Sequence, residues 1–231
     1  MRHSALVLLL LASAGGNLAA QRCLGSNPYE LSHFRVGAGL DIDKYAETYG
    51  VELRYSTAGV FGIVEAAMKT WGVETFNDES QLLGATVGVA FPRDGGGQSK
   101  WSVCPMLSFN NTSGPDQAAG IAWHYSEQAF SGAVSVGYLL IRSKAWDVVP
   151  TASLTVGTTH PTMKTPAGTS LGSYSTFCCG PRGFGTVSLG VGLVLGRTVA
   201  LLPSIALPLD AASETVYSAQ FVFGLGRELT R

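Results

Sequence analysis

From residue 34 onward the chain alternates between apolar and small or polar positions, run after run. Val187, Leu189, Val191, Leu193 and Leu195 share one face of an extended segment, with Ser188, Gly190, Gly192 and Gly196 on the other and Val194 the exception. Leu83, Ala85, Val87, Val89 and Phe91 oppose Gly84, Thr86, Gly88 and Ala90. Phe34, Val36, Ala38, Leu40 and Ile42 oppose Arg35, Gly37, Gly39 and Asp41, and Tyr217, Ala219, Phe221, Phe223 and Leu225 oppose Ser218, Gln220, Gly224 and Gly226. A period of two marks a strand with one apolar face. The pattern predicts ten strands, over 34–42, 48–56, 59–70, 81–92, 100–110, 129–142, 146–157, 184–196, 198–209 and 215–227, and no amphipathic helix. The second, fourth, sixth and eighth connections are mostly tight, whereas the odd ones include the two longest, 111–128 and 158–183. An even strand count with short turns at one end and longer loops at the other is the pattern of a transmembrane β-barrel. A β-sandwich would bury its apolar face against a second sheet. Here the face opposite the aliphatic one has too little apolar bulk for a second core.

One stretch, VSLGVGLVLGRTVALLPSIALPL at 187–209, is apolar enough to be taken for a spanning helix. Gly190, Gly192, Gly196, Arg197 and Pro203 interrupt it, and with period two it splits at Gly196-Arg197 into two strands. The first twenty residues carry a basic start at Arg2, an apolar run from Ala5 to Ala14 and small residues before Gln21, the arrangement of a secretory signal cleaved after Ala20. The run is too short for a bilayer-spanning anchor, which needs about 20 residues. The expected organisation is a signal peptide over 1–20, an N-terminal periplasmic segment and candidate partial plug over 21–33, and the barrel over 34–231.

Composition supports this picture. Only 13% of residues are charged while 46% are hydrophobic, and the formal net charge is −1. Soluble domains usually approach a quarter charged, and nucleic-acid binding demands a basic stripe that this chain lacks. Arg35, Asp41, Glu52, Arg54, Glu65 and Lys69, all on the first three strands, fall on the face opposite the aliphatic one, inside the barrel. A charge there survives only paired or hydrated. The cluster is either a polar pore or a cross-linked core filling a narrow tube.

The motif Trp-x-Val-x-Pro occurs twice, as WSVCP at Trp101 and WDVVP at Trp146, each heading a strand after a tight turn. Pro105 and Pro150 lie in phase with the outward residues, as does Pro203. A proline cannot donate to the ladder and belongs near a rim or at a bulge. Trp101 and Trp146 fall at the turn end, where an indole suits a membrane interface.

On its signal peptide, its glycine-rich alternating strands, the WSVCP and WDVVP openings and the closing strand TVYSAQFVFGLGREL, the chain resembles the small bacterial outer-membrane β-barrel superfamily of OmpA-, OmpX- and OmpW-like porin-type barrels. The resemblance implies an all-β fold, a closed antiparallel up-and-down transmembrane barrel in the Gram-negative cell outer membrane. It implies the lipid bilayer and the outer-membrane assembly machinery as partners, with no protein partner or cofactor indicated. The superfamily includes structural barrels, adhesion factors, small-molecule channels and a few lipid-modifying enzymes. A structural or surface-interaction role is expected, with a narrow solute channel, a soluble lipid-carrying barrel and a lipid-modifying enzyme as the alternatives, in that order. One departure is the ending Leu229-Thr230-Arg231, where such barrels end on an aromatic residue.

Four cysteines in an exported chain allow three pairings. Within a barrel, Cys104 points into the lumen near the turn end, where the segment carrying Cys23 also starts, whereas Cys178 and Cys179 sit roughly 25 Å away in a loop at the opposite mouth. A Cys23–Cys104 bridge tying the N-terminal segment into the lumen is therefore expected. For Cys178 and Cys179 free thiols or a link to another chain stay open. His124, Ser126 and Glu127 in HYSE are hydrolase residue types placed in the expected loop 111–128, but no enzyme chemistry is expected of them without a converging third group. His33 and His160 lack metal-ligand spacing with the cysteines, so no metal, cofactor or catalytic residue is expected. Asn110 and Asn111 head N-x-Ser/Thr sequons, relevant only to a eukaryotic secretory route.

Overall fold

Ten antiparallel strands close into an up-and-down β-barrel in the computed structural model, which describes residues 22–25, 34–57, 60–71, 79–92, 100–114, 117–118, 121–122, 124–143, 145–164, 181–195, 198–210 and 213–225. The barrel strands are β1 (Phe34–Ile42), β2 (Ala46–Thr57), β3 (Val60–Trp71), β4 (Glu79–Val89), β5 (Trp101–Ser113), β6 (His124–Tyr138), β7 (Trp146–Lys164), β8 (Arg182–Leu195), β9 (Val199–Pro208) and β10 (Val216–Leu225). Short extensions continue β4 at Phe91–Pro92 and β6 at Ile141–Arg142, and a two-residue ladder joins Gln117–Ala118 to Ile121–Ala122. Each strand pairs with its neighbours in sequence, and β10 pairs with β1, Leu225 opposite Phe34 and Tyr217 opposite Ile42. That seam leaves the wall without a free edge, which is how a barrel satisfies every backbone group in lipid.

Side-chain parity follows the sequence pattern. Leu83, Val87, Val191 and Leu195 face outward, as do Val64, Leu107 and Phe221. Leu107, at mid-strand, is 67% exposed, and the outer wall forms an aliphatic belt. Phe34 packs against Tyr55 with ring centroids 4.8 Å apart and Trp101 against Tyr138 at 4.5 Å, both tilted pairs on the tight-turn rim. β1 has 9 residues and β9 and β10 have 10 each, the length that crosses a hydrocarbon core when tilted.

The ladder breaks opposite each in-phase proline. Between β4 and β5 pairing stops at Gly88 opposite Met106 and resumes at Phe91 opposite Val103, leaving the gap at Pro105. Between β8 and β9 it lapses from Gly190 opposite Ser204 to Leu193 opposite Leu201, beside Pro203. Between β6 and β7 the register shifts by one residue, from Thr151 opposite Gly137 to Val148 opposite Ile141, a bulge facing Pro150. A proline without an N–H can sit in a sheet only where a bond is already forgone.

Two expectations need correction. The connections over 111–128 and 158–183 are shorter than the alternation suggested, because β5 runs to Ser113, β6 starts at His124 and β7 runs on to Lys164. There polar residues pair with polar residues, Lys164 opposite His124 and Thr162 opposite Ser126, so backbone pairing continues after the apolar alternation has ended. The inner face is also less uniformly small and polar than expected. Val194, Ala200 and Val222 form a buried apolar cluster with Leu202 at the tight-turn end.

Candidate functional site: a stoppered lumen

Ten strands enclose more space than the eight whose inward side chains suffice to fill a barrel. At the tight-turn end a piece of the chain itself occupies the space. A single 3₁₀ turn, Arg22–Leu24, lies inside the wall, and Cys23 is disulfide-bonded to Cys104 of β5 with their Cα atoms 5.9 Å apart. Both cysteines are buried. Phe61 and Ala90 pack around the bridge together with Leu24, Ile63 and Met106. Ser135 Oγ of β6 donates to the Cys23 carbonyl. Gly25 leaves the turn with φ of 73°, a left-handed conformation that favours glycine. Its carbonyl lies so close to Gly192 of β8 that a Cβ on Gly192 would collide with it.

Beyond this floor the lumen opens into a cavity of about 490 Å³. Its two sides differ chemically. Strands β1 to β3 contribute Asp41, Glu52, Arg54 and Glu65, whereas β7 to β10 contribute hydroxyls such as Ser153, Ser188, Ser204 and Ser218. Arg35, Glu52 and Arg54 are 1%, 7% and 6% exposed. Arg54 Nε donates to Glu52 in an ion pair, its Nη2 donates to Gln220 of β10, and Arg35 Nη2 donates to Ser56 Oγ at 3.3 Å. Arg35 and Arg54 are cross-strand partners, and the Glu52 carboxylate, lying over Gly37, pairs with Arg54 beside them. Glu65 lies over Gly84, and Asn110, with its amide oriented to satisfy both groups, donates to it at 3.2 Å.

Lys69 stands at the mouth, 3.5 Å from Asp43 of the β1–β2 turn and over the Trp71 ring at 4.2 Å. Trp71 Nε1 donates to Ser80 Oγ at 3.0 Å. In the same turn Lys44 lies 3.9 Å from Glu214 and over the Tyr45 ring. Hydrogen bonding to Tyr45, then the charges of Tyr45 and Glu214, hold the Lys44 ammonium above the ordinary lysine range.

The sequence-derived residues therefore divide. Glu52 and Arg54 form an ion pair with Arg35 across the strand from Arg54, Asp41 and Glu65 line the chamber above it, and Lys69 belongs to the mouth. Trp101 and Trp146 are half exposed on the tight-turn rim. His124, Ser126 and Glu127 do not converge. They lie on β6, not in a loop, and alternation puts His124 and Ser126 on one face and Glu127, bonded by the Tyr125 hydroxyl, on the other. Among the described residues no group of three or more His, Cys, Asp or Glu side chains could hold a metal ion. Sequence reasoning missed Phe61, Val149, Val222 and the buried Asp147, all inward by parity. The strand phase was their available signal. The expected signal peptide, Cys178, Cys179 and His33 lie outside the described residues.

Neither a family model nor a curated protein matches the chain. Solved structures similar to it are outer-membrane barrels. CdiB from Acinetobacter baumannii shares 9% identity at a TM-score of 0.40, covering 78% of this chain and 33% of its own, so the chain spans about a third of that protein's length. The translocator domain of autotransporter NalP from Neisseria meningitidis shares 12% identity at a TM-score of 0.44, covering 97% of this chain and 96% of its own. NanC porin shares 12% identity at a TM-score of 0.41, covering 83% of this chain and all (100%) of its own.

Proposed function

We propose that the chain is an integral outer-membrane β-barrel, closed to solutes in the form described above, with a structural or surface-interaction role. The observation that carries the reading is the turn over residues 23–25, seated in the lumen and covalently bound to the wall. A membrane setting is supported by the outward aliphatic belt and the aromatic pairs on the rim. A soluble lipid carrier would turn its aliphatic face inward, and here the chamber is lined largely by charged, amide, hydroxyl and glycine positions. A surface role is supported by the polar prolongation of β5, β6 and β7, the last of 19 residues against 9 in β1. The strand pattern and the WSVCP and WDVVP openings support an OmpA-, OmpX- or OmpW-like barrel in particular.

The test is direct. Envelope fractionation should recover the protein in the outer membrane, detergent extracts should run as a heat-modifiable band, and the purified, oxidised protein should be electrically silent in planar bilayers. A soluble fraction would refute the membrane reading, and resolved conductance would refute the closed one. A narrow channel is the second reading, favoured by the 490 Å³ polar chamber.

A further inference from the structure

The ring of strands does not depend on the segment that blocks it. Its ten ladders, including the β10–β1 seam, are formed between wall strands, and residues 22–25 contribute to none of them. Among the described residues the segment is held instead by the bridge to Cys104, the hydrogen bond from Ser135 and the packing of Leu24 against the cluster of Cys23, Phe61, Ala90 and Cys104. Its seat is shaped to receive it, because Gly192 leaves room for the Gly25 carbonyl where any larger residue would meet it. The segment is also the floor of the chamber, since Cys23, Leu24 and Gly25 line the same cavity as Asp41 and Glu65.

From these features we propose that residues 23–25 act as a releasable stopper: reduction of the Cys23–Cys104 bond by a dithiol frees the turn and opens the lumen to small solutes. The proposal rests on the closed-barrel reading above. In the reaction a thiolate of the reductant attacks Cys23 Sγ, forming a mixed disulfide and expelling the Cys104 thiolate, which takes up a proton. The second thiol of the reductant then closes on the first and releases Cys23 as a thiol. Two electrons and two protons pass from the dithiol, which leaves as a disulfide. Because both sulfurs are buried, the attack waits on a loosening of the turn, and the bond persists in an oxidising compartment. Once the floor is gone, three carboxylates, Asp41, Glu52 and Glu65, face the path against two guanidiniums, Arg54 and its cross-strand partner Arg35, so cations pass in preference to anions.

The experiment uses the folded, full-length barrel in a planar bilayer, with dithiothreitol as the probe and alkylation followed by peptide mapping to count freed thiols. The expected result is silence before reduction, then stepwise, cation-selective conductance as Cys23 and Cys104 become alkylatable, and silence again on reoxidation. A Cys104→Ser barrel should conduct without reductant. Freed thiols in a still heat-modifiable barrel that stays silent would overturn the stopper while leaving the closed-barrel reading intact. So would failure to free the thiols under conditions that keep the barrel folded. Conductance before reduction would overturn both.

Discussion

Around the floor of the lumen Cys23, Cys104, Phe61, Ala90, Val194 and Val222 exclude water. Further along the same strands, Glu65 follows Phe61 on β3 and Ser188 precedes Val194 on β8, and there the interior is a polar chamber. Parity decides whether a residue points inward, but depth decides what it meets. At the floor, apolar side chains and a piece of chain fill the tube as a protein core does. In the chamber, charges and hydroxyls bond to one another or face the cavity. One inner wall thus serves two solvents.

The contrast can be broken from either end. Cys104→Ser removes a bridge whose cysteines are 81 residues apart, and loop-closure entropy assigns such a link roughly 4.5 kcal/mol. The urea midpoint of the barrel in micelles should fall accordingly. Glu52→Gln leaves Arg35 and Arg54 buried as opposed cations. Breaking a buried ionic group costs about 3–5 kcal/mol, somewhat less here because Gln keeps the shape, and the same urea titration should show it. Leu107→Arg, on the outer wall at mid-strand, should cost about 2–4 kcal/mol in lipid and much less in a short-chain detergent, a difference neither interior substitution shows. Ser188→Ala, in the hydroxyl wall of the chamber, should change stability by less than about 0.5 kcal/mol. If it costs as much as Cys104→Ser, the distinction between filled floor and open chamber fails.

Much of this was legible in the sequence, and the limits have physical causes. Period two gave the outward belt, the inward charges and the setting of Pro105, Pro150 and Pro203, because each depends only on the phase of a single strand. The apolar floor was not legible in that way. Phe61 joins Ala90 and Cys104, and Val194 joins Ala200 and Val222, only through the register between strands, which the period of one strand does not encode. The extra length of β6 and β7 was missed for a related reason: His124 to Gln128 and Thr158 to Lys164 pair through their backbones without any apolar face to announce it. The site showed the same division. Arg35, Glu52 and Arg54 were recognisable as inward, but that Arg35 faces Arg54 beside Glu52 depends on cross-strand register.

The joint between β1 and β10 has a consequence for how the molecule comes into being. It unites Phe34 with Leu225, the first and last described residues of the wall. Every other ladder in the wall joins strands that follow one another along the chain, so it can form as a hairpin grows. This one needs the two ends of the wall to meet, a non-local pairing of the kind that slows folding. Until then the sheet is an open trough, and the cysteine near the start of the chain can be laid against its partner from the side. Afterwards the same pair can meet only by way of the tight-turn mouth, so the final zip narrows the route by which the ship enters its bottle.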